Sequence, residues 1–443
     1  MGISKKGVNK MAKEKFKSAD EVAEEYLELE MSLGPKSRFE NILLTVLTLA
    51  FVFIFAILFW IIPDKTFSEE ENAPLSTFPE FTVEGFIHGD FNAEFGTYMA
   101  DQFPLRNFFI GVKAFFEAAQ LKGQNNNVIL GGNGYLFARN DYPNEDNLKS
   151  NVDSLANFIP VAEKKGISCT FAVAGRKMDV MDEYIPTIYG TYYSDRIFGI
   201  LDGMCDDAEL EYLNLRDTLN DIGDAPLYYK TDHHWTSLGA YYAYRDIAEE
   251  LGITPYELSD FNVETASEEF YGTTWSSAGV KWADPDTIEY YRWEGDESIT
   301  LRIQSPSYDY KNATEITESG VSYDVFDTYY VRELLETKDK YASFLGGKNN
   351  SYIEVTMTDE NGEPVEGRET LLLMRDSFSD SLAPFLARHY DLILIDLRTS
   401  SPDAISMCIE KEIDNILFIY NMESLTEAPT LGVLNKGLSA HRK

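Results

Sequence analysis

Cysteine and positive charge are scarce in this chain, and each scarcity argues against a class of protein. Its 443 residues include three cysteines without a Cys-x-x-Cys pair, so they predict neither a disulfide framework nor a zinc ligand set. Lys and Arg number 38 against 74 Asp and Glu, which gives a net charge of -36. Such a surface repels phosphate, so nucleic acid and anionic lipid are disfavoured as main partners, whereas a neutral glycan is not.

Long apolar runs are also rare, and the exception predicts a membrane anchor. Residues Ile42 to Ile62 form an uncharged stretch of 21 residues, and about 20 suffice to cross a bilayer as a helix. A cleaved signal peptide fits less well because the run is too long and no small-residue cleavage site follows it. Eight Lys or Arg precede the run, whereas Lys65 and then Glu69, Glu70 and Glu71 follow it. The positive-inside rule therefore predicts a cell-membrane protein with a single span, a cytoplasmic N-terminus and an extracytoplasmic remainder.

The rest of the pattern predicts three further regions. Residues 1–41 are expected to form a polar cytoplasmic arm, and residues 63–127 an extracytoplasmic lead-in rich in aromatic residues and helical spacing. From residue 128 to 443, short apolar runs alternate with helical stretches, which is typical of a parallel α/β sheet. Residues from about 256 to 370 break this rhythm and predict an insertion with β character, including a hairpin around Asn361-Gly362.

Histidine is scarce as well, yet two of the five histidines are adjacent in LYYKTDHHWTSLG, residues 227–239. In an extended segment Asp232 and His234 point to the same side and His233 points away. A helix is expected to begin directly afterwards, with Thr236 or Ser237 as its cap. A carboxylate beside an imidazole fixes the ring tautomer, which suits a general base.

Two other interpretations of this segment are a metal site and an ordinary loop. The metal site is the weaker one, because it needs three or four ligands and the remaining histidines have no recognisable ligand spacing, so no metal is predicted. The simplest alternative is that these are polar loop residues near a helix cap, because short motifs recur by chance.

A serine follows a predicted strand in the segment LLLMRDSFSDSLAPFLARHY, residues 371–390. Ser377 comes directly after this strand, at the edge of a parallel sheet where ligands bind. Its hydroxyl would lie near the backbone N–H groups of a helix start, which can stabilise an oxyanion. Helix capping is the alternative, because Asp and Ser are preferred at any helix start.

Together the two motifs resemble the DHHW protein family, relatives of the alginate O-acetyltransferase proteins with an SGNH-hydrolase-like domain. The resemblance runs from about Glu71 to Leu425 and includes ADQFPLRNFF, VILGGNGYLFA and FYGTTWSSAG. It implies a circularly permuted, SGNH-hydrolase-like parallel sheet flanked by helices. It also implies a catalytic triad in which Asp232 orients, His234 is the general base and Ser377 is the nucleophile. The reversed chain order does not matter to the geometry of a triad.

The resemblance also suggests where a tetrahedral oxyanion would be held. Ordinary SGNH domains carry a glycine after the second strand and an asparagine after the third, and Asn421 falls at the second of these places. An ordinary turn residue is the alternative for Asn421. The second strand ends in IDLRTS, without glycine. Either Arg398 or Arg375 is expected to compensate, or the site is impaired.

The implied reaction is acyl transfer through an acyl-serine, with a hydroxyl of a surface polysaccharide or water as the acceptor. The resemblance implies an acetyl donor supplied by a membrane-bound O-acyltransferase partner. No cofactor is predicted, since no phosphate-cradling loop for coenzyme A is present. The alternatives are a carbohydrate acetyl-esterase and a non-catalytic glycan-binding or scaffold protein of the cell envelope.

Tryptophans within the predicted insertion are candidates for glycan contact. Trp275, Trp282 and Trp293 can stack on sugar rings, and core packing is the alternative interpretation of each.

Overall fold

The computed structural model describes residue 28 and residues 35–139, 143–190, 192–304, 310–347 and 351–442. Most of the predicted cytoplasmic arm therefore lies outside the described residues. The described chain forms two compact units. The first comprises described residues of Met1–Thr66 and Leu75–Arg106, and the second those of Phe67–Pro74 and Asn107–Lys443.

The first unit contains the predicted anchor. Helix α1 (Pro35–Ile61) covers the predicted apolar run except its last residue. Among the described residues, its segment Arg38–Ile61 alone is long and apolar enough to cross a bilayer. The short helices α2 (Val83–His88) and α3 (Asp90–Asp101) follow in the same unit.

The later helices flank a mixed sheet. They are α4 (Arg106–Ala119), α5 (Glu145–Glu163), α6 (Lys177–Val180), α7 (Tyr192–Asp207), α8 (Leu215–Asn220), α9 (Ser237–Glu250), α10 (Thr273–Ala278), α11 (Ser379–Leu386), α12 (Ala404–Lys411), α13 (Met422–Glu427) and α14 (Leu438–His441). The strands are β1 (Phe67–Ser68), β2 (Ala73–Pro74), β3 (Gln124–Asn125), β4 (Val128–Leu130), β5 (Leu136–Ala138), β6 (Ser168–Ala174), β7 (Leu213–Asn214), β8 (Asn262–Phe270), β9 (Asp286–Arg292), β10 (Ile299–Gln304), β11 (Thr314–Glu318), β12 (Val321–Phe326), β13 (Tyr352–Met357), β14 (Thr370–Arg375), β15 (Asp391–Ile395) and β16 (Asn415–Asn421).

The main sheet has a parallel half and an antiparallel half. In the described residues it contains nine strands in the order β11-β12-β10-β13-β15-β14-β16-β6-β7. The strands from β15 to β7 pair in parallel, whereas β13, β10, β12 and β11 add antiparallel strands at one edge. The predicted α/β fold class is confirmed. Within the predicted insertion, strands β10 to β13 extend the same sheet, whereas β8 and β9 pair in a separate two-stranded sheet.

Both faces of the parallel half are covered by core. Along β14, Leu371 and Leu373 belong to one buried hydrophobic cluster, whereas Leu372 and Met374 belong to another on the opposite face. Alternation of this kind follows from the period of two along a strand. It explains why the parallel strands read as continuous apolar runs in the sequence.

Local sequence signals are confirmed at three places. Strands β4 and β5 form the predicted hairpin around Asn133-Gly134. Helix α9 begins at Ser237 with Thr236 as its N-cap, as predicted. The expected hairpin around Asn361-Gly362 is present in a short form. Thr358 and Pro364 form an antiparallel bridge, and the Val365 N–H donates to the Met357 carbonyl at 2.9 Å. The preceding strand β13 pairs with β10 and β15.

Candidate active site

The loop before α9 and the turn after β14 bring three predicted site residues together. His234 Nε2 lies 2.7 Å from Ser377 Oγ, and His234 Nδ1 lies 2.6 Å from Asp232 Oδ1. Since an ionised carboxylate only accepts, Nδ1 carries the ring proton and Nε2 accepts from the serine hydroxyl. Asp232 and His234 are buried, and Ser377 is partly exposed. This is the geometry required of a serine, a base and an orienting carboxylate.

The carboxylate of Asp232 is held on both oxygens. Oδ1 accepts from the His234 backbone and ring, and Oδ2 accepts from the backbone N–H and hydroxyl of Thr273, at 2.8 and 3.0 Å. Burial alone raises the pKa of Asp232, but the neighbouring His233 and His234 and these hydrogen bonds outweigh it. The pKa is therefore held well below its ordinary value, and Asp232 stays ionised at neutral pH.

Gly272 packs directly against the Asp232 side chain. A Cβ at this position would lie 2.2 Å from Asp232 Cβ and 2.3 Å from its Oδ2, which no side chain can tolerate. The glycine therefore lets Thr273 approach the carboxylate. The close approach gives a physical reason for the glycine of the FYGTTW segment, which forms part of the family resemblance.

A buried lysine and a half-buried aspartate fix the backbone of the histidine loop. Lys177 Nζ donates to the carbonyls of Tyr229 and Lys230, at 3.0 Å each, and also to that of Asp232. Burial lowers the pKa of Lys177 to about 8, although nearby carboxylates oppose the shift. Asp286 accepts from the backbone N–H groups of Lys230 and Thr231 at 2.8 and 2.7 Å. No motif in the sequence indicates either residue, and they lie about 50 residues from the loop on either side.

Two aromatic residues join the histidine loop to the serine turn. The ring of Tyr341 stacks on His234 with centroids 3.9 Å apart, and its hydroxyl donates to the Ser377 carbonyl at 3.1 Å. Trp235 Nε1 donates to the Phe378 carbonyl and to Ser381 Oγ, both at 3.0 Å. The tryptophan of the Asp-His-His-Trp motif is therefore a structural link, whereas Tyr341 was not predicted.

The candidate oxyanion donor Asn421 already takes part in other hydrogen bonds. Asn421 caps α13, and its Nδ2 donates to the Gly175 carbonyl at 2.8 Å while its backbone N–H donates to Asp376 Oδ2 at 2.7 Å. Its amide thus already bonds the end of β6. A role in holding an oxyanion stays a prediction.

Each predicted arginine lies beside an aspartate. Arg375 is fully buried and its Nη1 lies 2.9 Å from Asp380 Oδ1, but none of its guanidinium nitrogens has a hydrogen-bond partner among the described residues. Its role in compensating for the missing glycine stays a prediction. Arg398 pairs with Asp396 through Nε and Nη2, at 3.0 and 2.6 Å. The role of Arg398 in holding an oxyanion stays a prediction, but its Nε and Nη2 already donate to Asp396.

The tryptophans separate into buried and exposed members. Trp293 is 5% exposed and Trp275 is 8% exposed, so both pack inside the protein and the expectation of sugar stacking is wrong for them in this structure. The Nζ atoms of Lys281 and Lys338 each lie 4.4 Å from the centroid of the Trp275 ring. Trp282 is 49% exposed and remains a candidate for glycan contact.

The histidine loop contains the one cluster of potential metal ligands among the described residues. Its members are Asp232, His233 and His234. Both ring nitrogens of His234 already have partners in Asp232 and Ser377. His233 Nδ1 lies 2.8 Å from Thr273 Oγ1. These hydrogen bonds suit proton transfer better than ligation, which needs an unshared lone pair on each ligand.

The fold and the site geometry define an SGNH-hydrolase-like α/β protein. The family resemblance is confirmed by two family models: residues 217–395 match the DHHW protein model, and residues 128–288 match a model described as SGNH hydrolase-like domain, acetyltransferase AlgX. The chain matches no curated protein sequence.

Solved structures support the fold. A DHHW family protein from Eubacterium siraeum is similar with a TM-score of 0.52 and 20% identity, over 70% of this chain and 96% of that one. PatB1 from Bacillus cereus, solved with a sulfonyl adduct, has a TM-score of 0.50 and 15% identity, over 68% of this chain and 98% of that one.

Proposed function

We propose that this protein is a membrane-anchored O-acyltransferase that acetylates a polysaccharide outside the cytoplasm through an acyl-serine at Ser377. The observation that carries the proposal is the unbroken hydrogen-bond path from Asp232 through His234 to the Ser377 hydroxyl. The similarity to the acetyltransferase AlgX model supports acetyl as the acyl group.

In the proposed reaction, His234 Nε2 takes the hydroxyl proton as Ser377 Oγ attacks the acyl carbonyl of the donor. The ionised Asp232 stabilises the imidazolium that forms, and general base catalysis of this kind contributes about 10²- to 10⁴-fold. Collapse of the tetrahedral intermediate expels the donor's leaving group, which takes the proton from His234. An acetyl-serine ester remains.

The second half-reaction uses the same groups in reverse. His234 removes a proton from a sugar hydroxyl, whose oxygen attacks the acetyl-serine carbonyl and releases Ser377 as the proton returns to its oxygen. Anchoring by α1 supports an acceptor at the membrane surface. By resemblance, the donor is supplied by a membrane-bound O-acyltransferase partner, and the positive-inside rule supports an extracytoplasmic site.

Product analysis tests the proposal against its alternatives. The full chain in detergent or nanodiscs would be incubated with p-nitrophenyl acetate and a neutral polysaccharide, with Ser377→Ala as the control. Acetyl esters on the glycan, absent with Ser377→Ala, support transfer. Free acetate alone would indicate an esterase, and no turnover by a folded chain would indicate a scaffold protein.

A further inference from the structure

A small pocket opens beside the proposed nucleophile. Its lining includes Phe378, which follows Ser377 in the chain, together with His233, Asn421, Glu423 and Arg176. Its volume of about 20 Å³ holds little more than one water-sized group. A sugar ring does not fit in this space, whereas the two carbons of an acetyl group come close to it.

Arg176 brings an unpaired donor to this pocket. The residue is only 5% exposed, and its Nε and Nη2 donate to Asp179 at 2.9 and 2.7 Å. Its Nη1 is buried and has no hydrogen-bond partner among the described residues. A buried guanidinium N–H without an acceptor costs free energy, so an oxygen supplied by a ligand would remove that cost.

The backbone connects Arg176 to the proposed nucleophile through Asn421. The Asn421 side chain donates to the carbonyl of Gly175, the residue before Arg176, and its backbone N–H donates to Asp376, the residue before Ser377. The carboxyl ends of the neighbouring strands β6, β16 and β14 therefore bring the guanidinium and the serine to the same edge of the sheet.

We infer that this pocket is the acyl-binding subsite and that Arg176 Nη1 donates to the carbonyl oxygen of the acyl group. The inference rests on the proposed function and gives the site a donor in place of the glycine absent after β15. The apolar side chains of Phe137, Met178 and Phe378 bound the remaining space and select an acetyl group over longer chains.

The test compares Arg176→Met with Asp179→Asn in the full chain, using p-nitrophenyl acetate and p-nitrophenyl butyrate. Asp179→Asn weakens the ion pair but keeps Nη1, so it controls for the structural role of the pair. Arg176→Met is expected to lower kcat/KM for the acetate ester about 100-fold and to reduce the preference for acetate over butyrate. Asp179→Asn is expected to lower Tm while keeping that preference, and Arg176→Lys to restore part of the rate.

Two results would overturn the inference. An unchanged preference in Arg176→Met would do so while leaving the proposed function intact, and so would equal losses in Arg176→Met and Asp179→Asn that follow Tm. Absence of acetyl-Ser377 in the wild-type chain would overturn the proposed function and this inference with it.

The first unit supports a second inference, because it exposes apolar side chains next to the predicted anchor. More than half of each side chain is exposed in this aromatic collar, which comprises Phe78, Phe81, Val83, Phe86 and Ile87. Scattered apolar residues need no explanation, but a contiguous exposed patch marks an interaction site.

Ring contacts connect the collar to the apolar helix. Phe78 contacts Tyr98 with centroids 5.3 Å apart, and Tyr98 contacts Phe59 of α1 at 5.6 Å. Phe103 stacks on Phe55 at 5.3 Å, and Phe55 lies about 9 Å before the end of α1 at 1.5 Å per residue. The collar thus adjoins the last turns of a helix whose apolar surface is itself exposed.

We propose that the aromatic collar lies in the outer interface of the bilayer and contacts lipid, where aromatic residues are enriched at membrane surfaces. The acidic chain favours zwitterionic over anionic lipid. The test is Phe86→Trp in the full chain in phosphatidylcholine vesicles, with Leu258→Trp as a control exposed in the second unit.

Fluorescence added by Phe86→Trp is expected to be quenched by lipids brominated near the headgroup and not by aqueous iodide. The control is expected to show the reverse. Quenching of Phe86→Trp by iodide would show a water-exposed collar, and protection from both quenchers would show a protein partner such as a second copy. Either result would overturn the lipid assignment.

Discussion

The parallel half of the sheet and the region from about 256 to 370 make different contributions to the site. Strand β14 ends two residues before Ser377, β16 ends at Asn421 and β6 ends two residues before Arg176, so the parallel half places these residues at one edge of the sheet. The later region supplies Thr273 and Tyr341, which hold the carboxylate and the imidazole in place. A region inserted into the fold can therefore supply the residues that hold other site residues in position.

The largest effect is expected from the serine of the parallel half. Ser377→Ala removes the proposed nucleophile, and losses of a triad serine are about 10⁶-fold in kcat. His234→Ala is expected to cost nearly as much, and the double variant little more, because the two groups act as a unit. Initial rates with p-nitrophenyl acetate measure this. Additive losses would show that the two residues do not share one step.

The second-largest loss of activity is expected from a substitution in the later region, at Gly272. Gly272→Ala places a methyl group against Asp232, and overpacking of this kind costs about 1–3 kcal/mol. We expect a clear fall in kcat because the carboxylate is displaced. Gly199→Ala is the matched control, since its Cβ meets no atom within 4 Å and an exposed helical site favours alanine. Thermal unfolding and rate would be measured for both.

Substitution of Lys177 is expected to change the free energy of unfolding by a smaller amount, which depends on pH. Its pKa is 10.5 in the unfolded chain and about 8 in the folded chain, so the unfolded chain binds more protons between these values. The stability of the wild type relative to Lys177→Met is therefore expected to rise as pH increases from about 8 to 10.5. Denaturant unfolding at several pH values measures the difference in stability between the two chains. A difference that does not change with pH would mean that the pKa of Lys177 is not lowered.

Tyr341 separates stacking from hydrogen bonding. Tyr341→Phe keeps the ring on His234 but loses the bond to the Ser377 carbonyl, which is worth about 1 kcal/mol. Activity is expected to fall less than in Tyr341→Ala, which loses both contacts. Equal activity of the two variants would contradict a role for the stacked ring.

The smallest effect on the fold is expected for the exposed tryptophan. Trp282→Ala is expected to leave Tm nearly unchanged and to raise KM for the polysaccharide alone. Trp293→Ala removes a buried ring and is expected to cost about 3–5 kcal/mol of stability. Thermal unfolding compares the two, and a KM unaffected by Trp282→Ala would remove that residue from the glycan site.

Features encoded by neighbouring residues could be predicted from the sequence. The hairpin of β4 and β5, the cap at Thr236 and the apolar parallel strands follow from local propensity and period. The residues of the site were reached only through two motifs whose spacing resembles a family.

The missed features depend on contacts between distant parts of the chain. Lys177 and Asp286 reach the histidine loop only after β6 and β9 are in place, and no periodicity indicates a buried donor or acceptor. The sequence does not show that Arg375 is buried and forms an ion pair with Asp380 inside the core. The sequence also does not show that Trp293, directly after β9, is buried.

The most direct measurement is the mass of the full chain during turnover of p-nitrophenyl acetate. Acid quenching followed by intact and peptide mass spectrometry would locate any covalent acetyl group. The proposed mechanism predicts one acetyl group on the peptide that contains Ser377 and none in Ser377→Ala. Equal acetylation of both chains, or turnover by Ser377→Ala at the wild-type rate, would contradict an acyl-serine at this site.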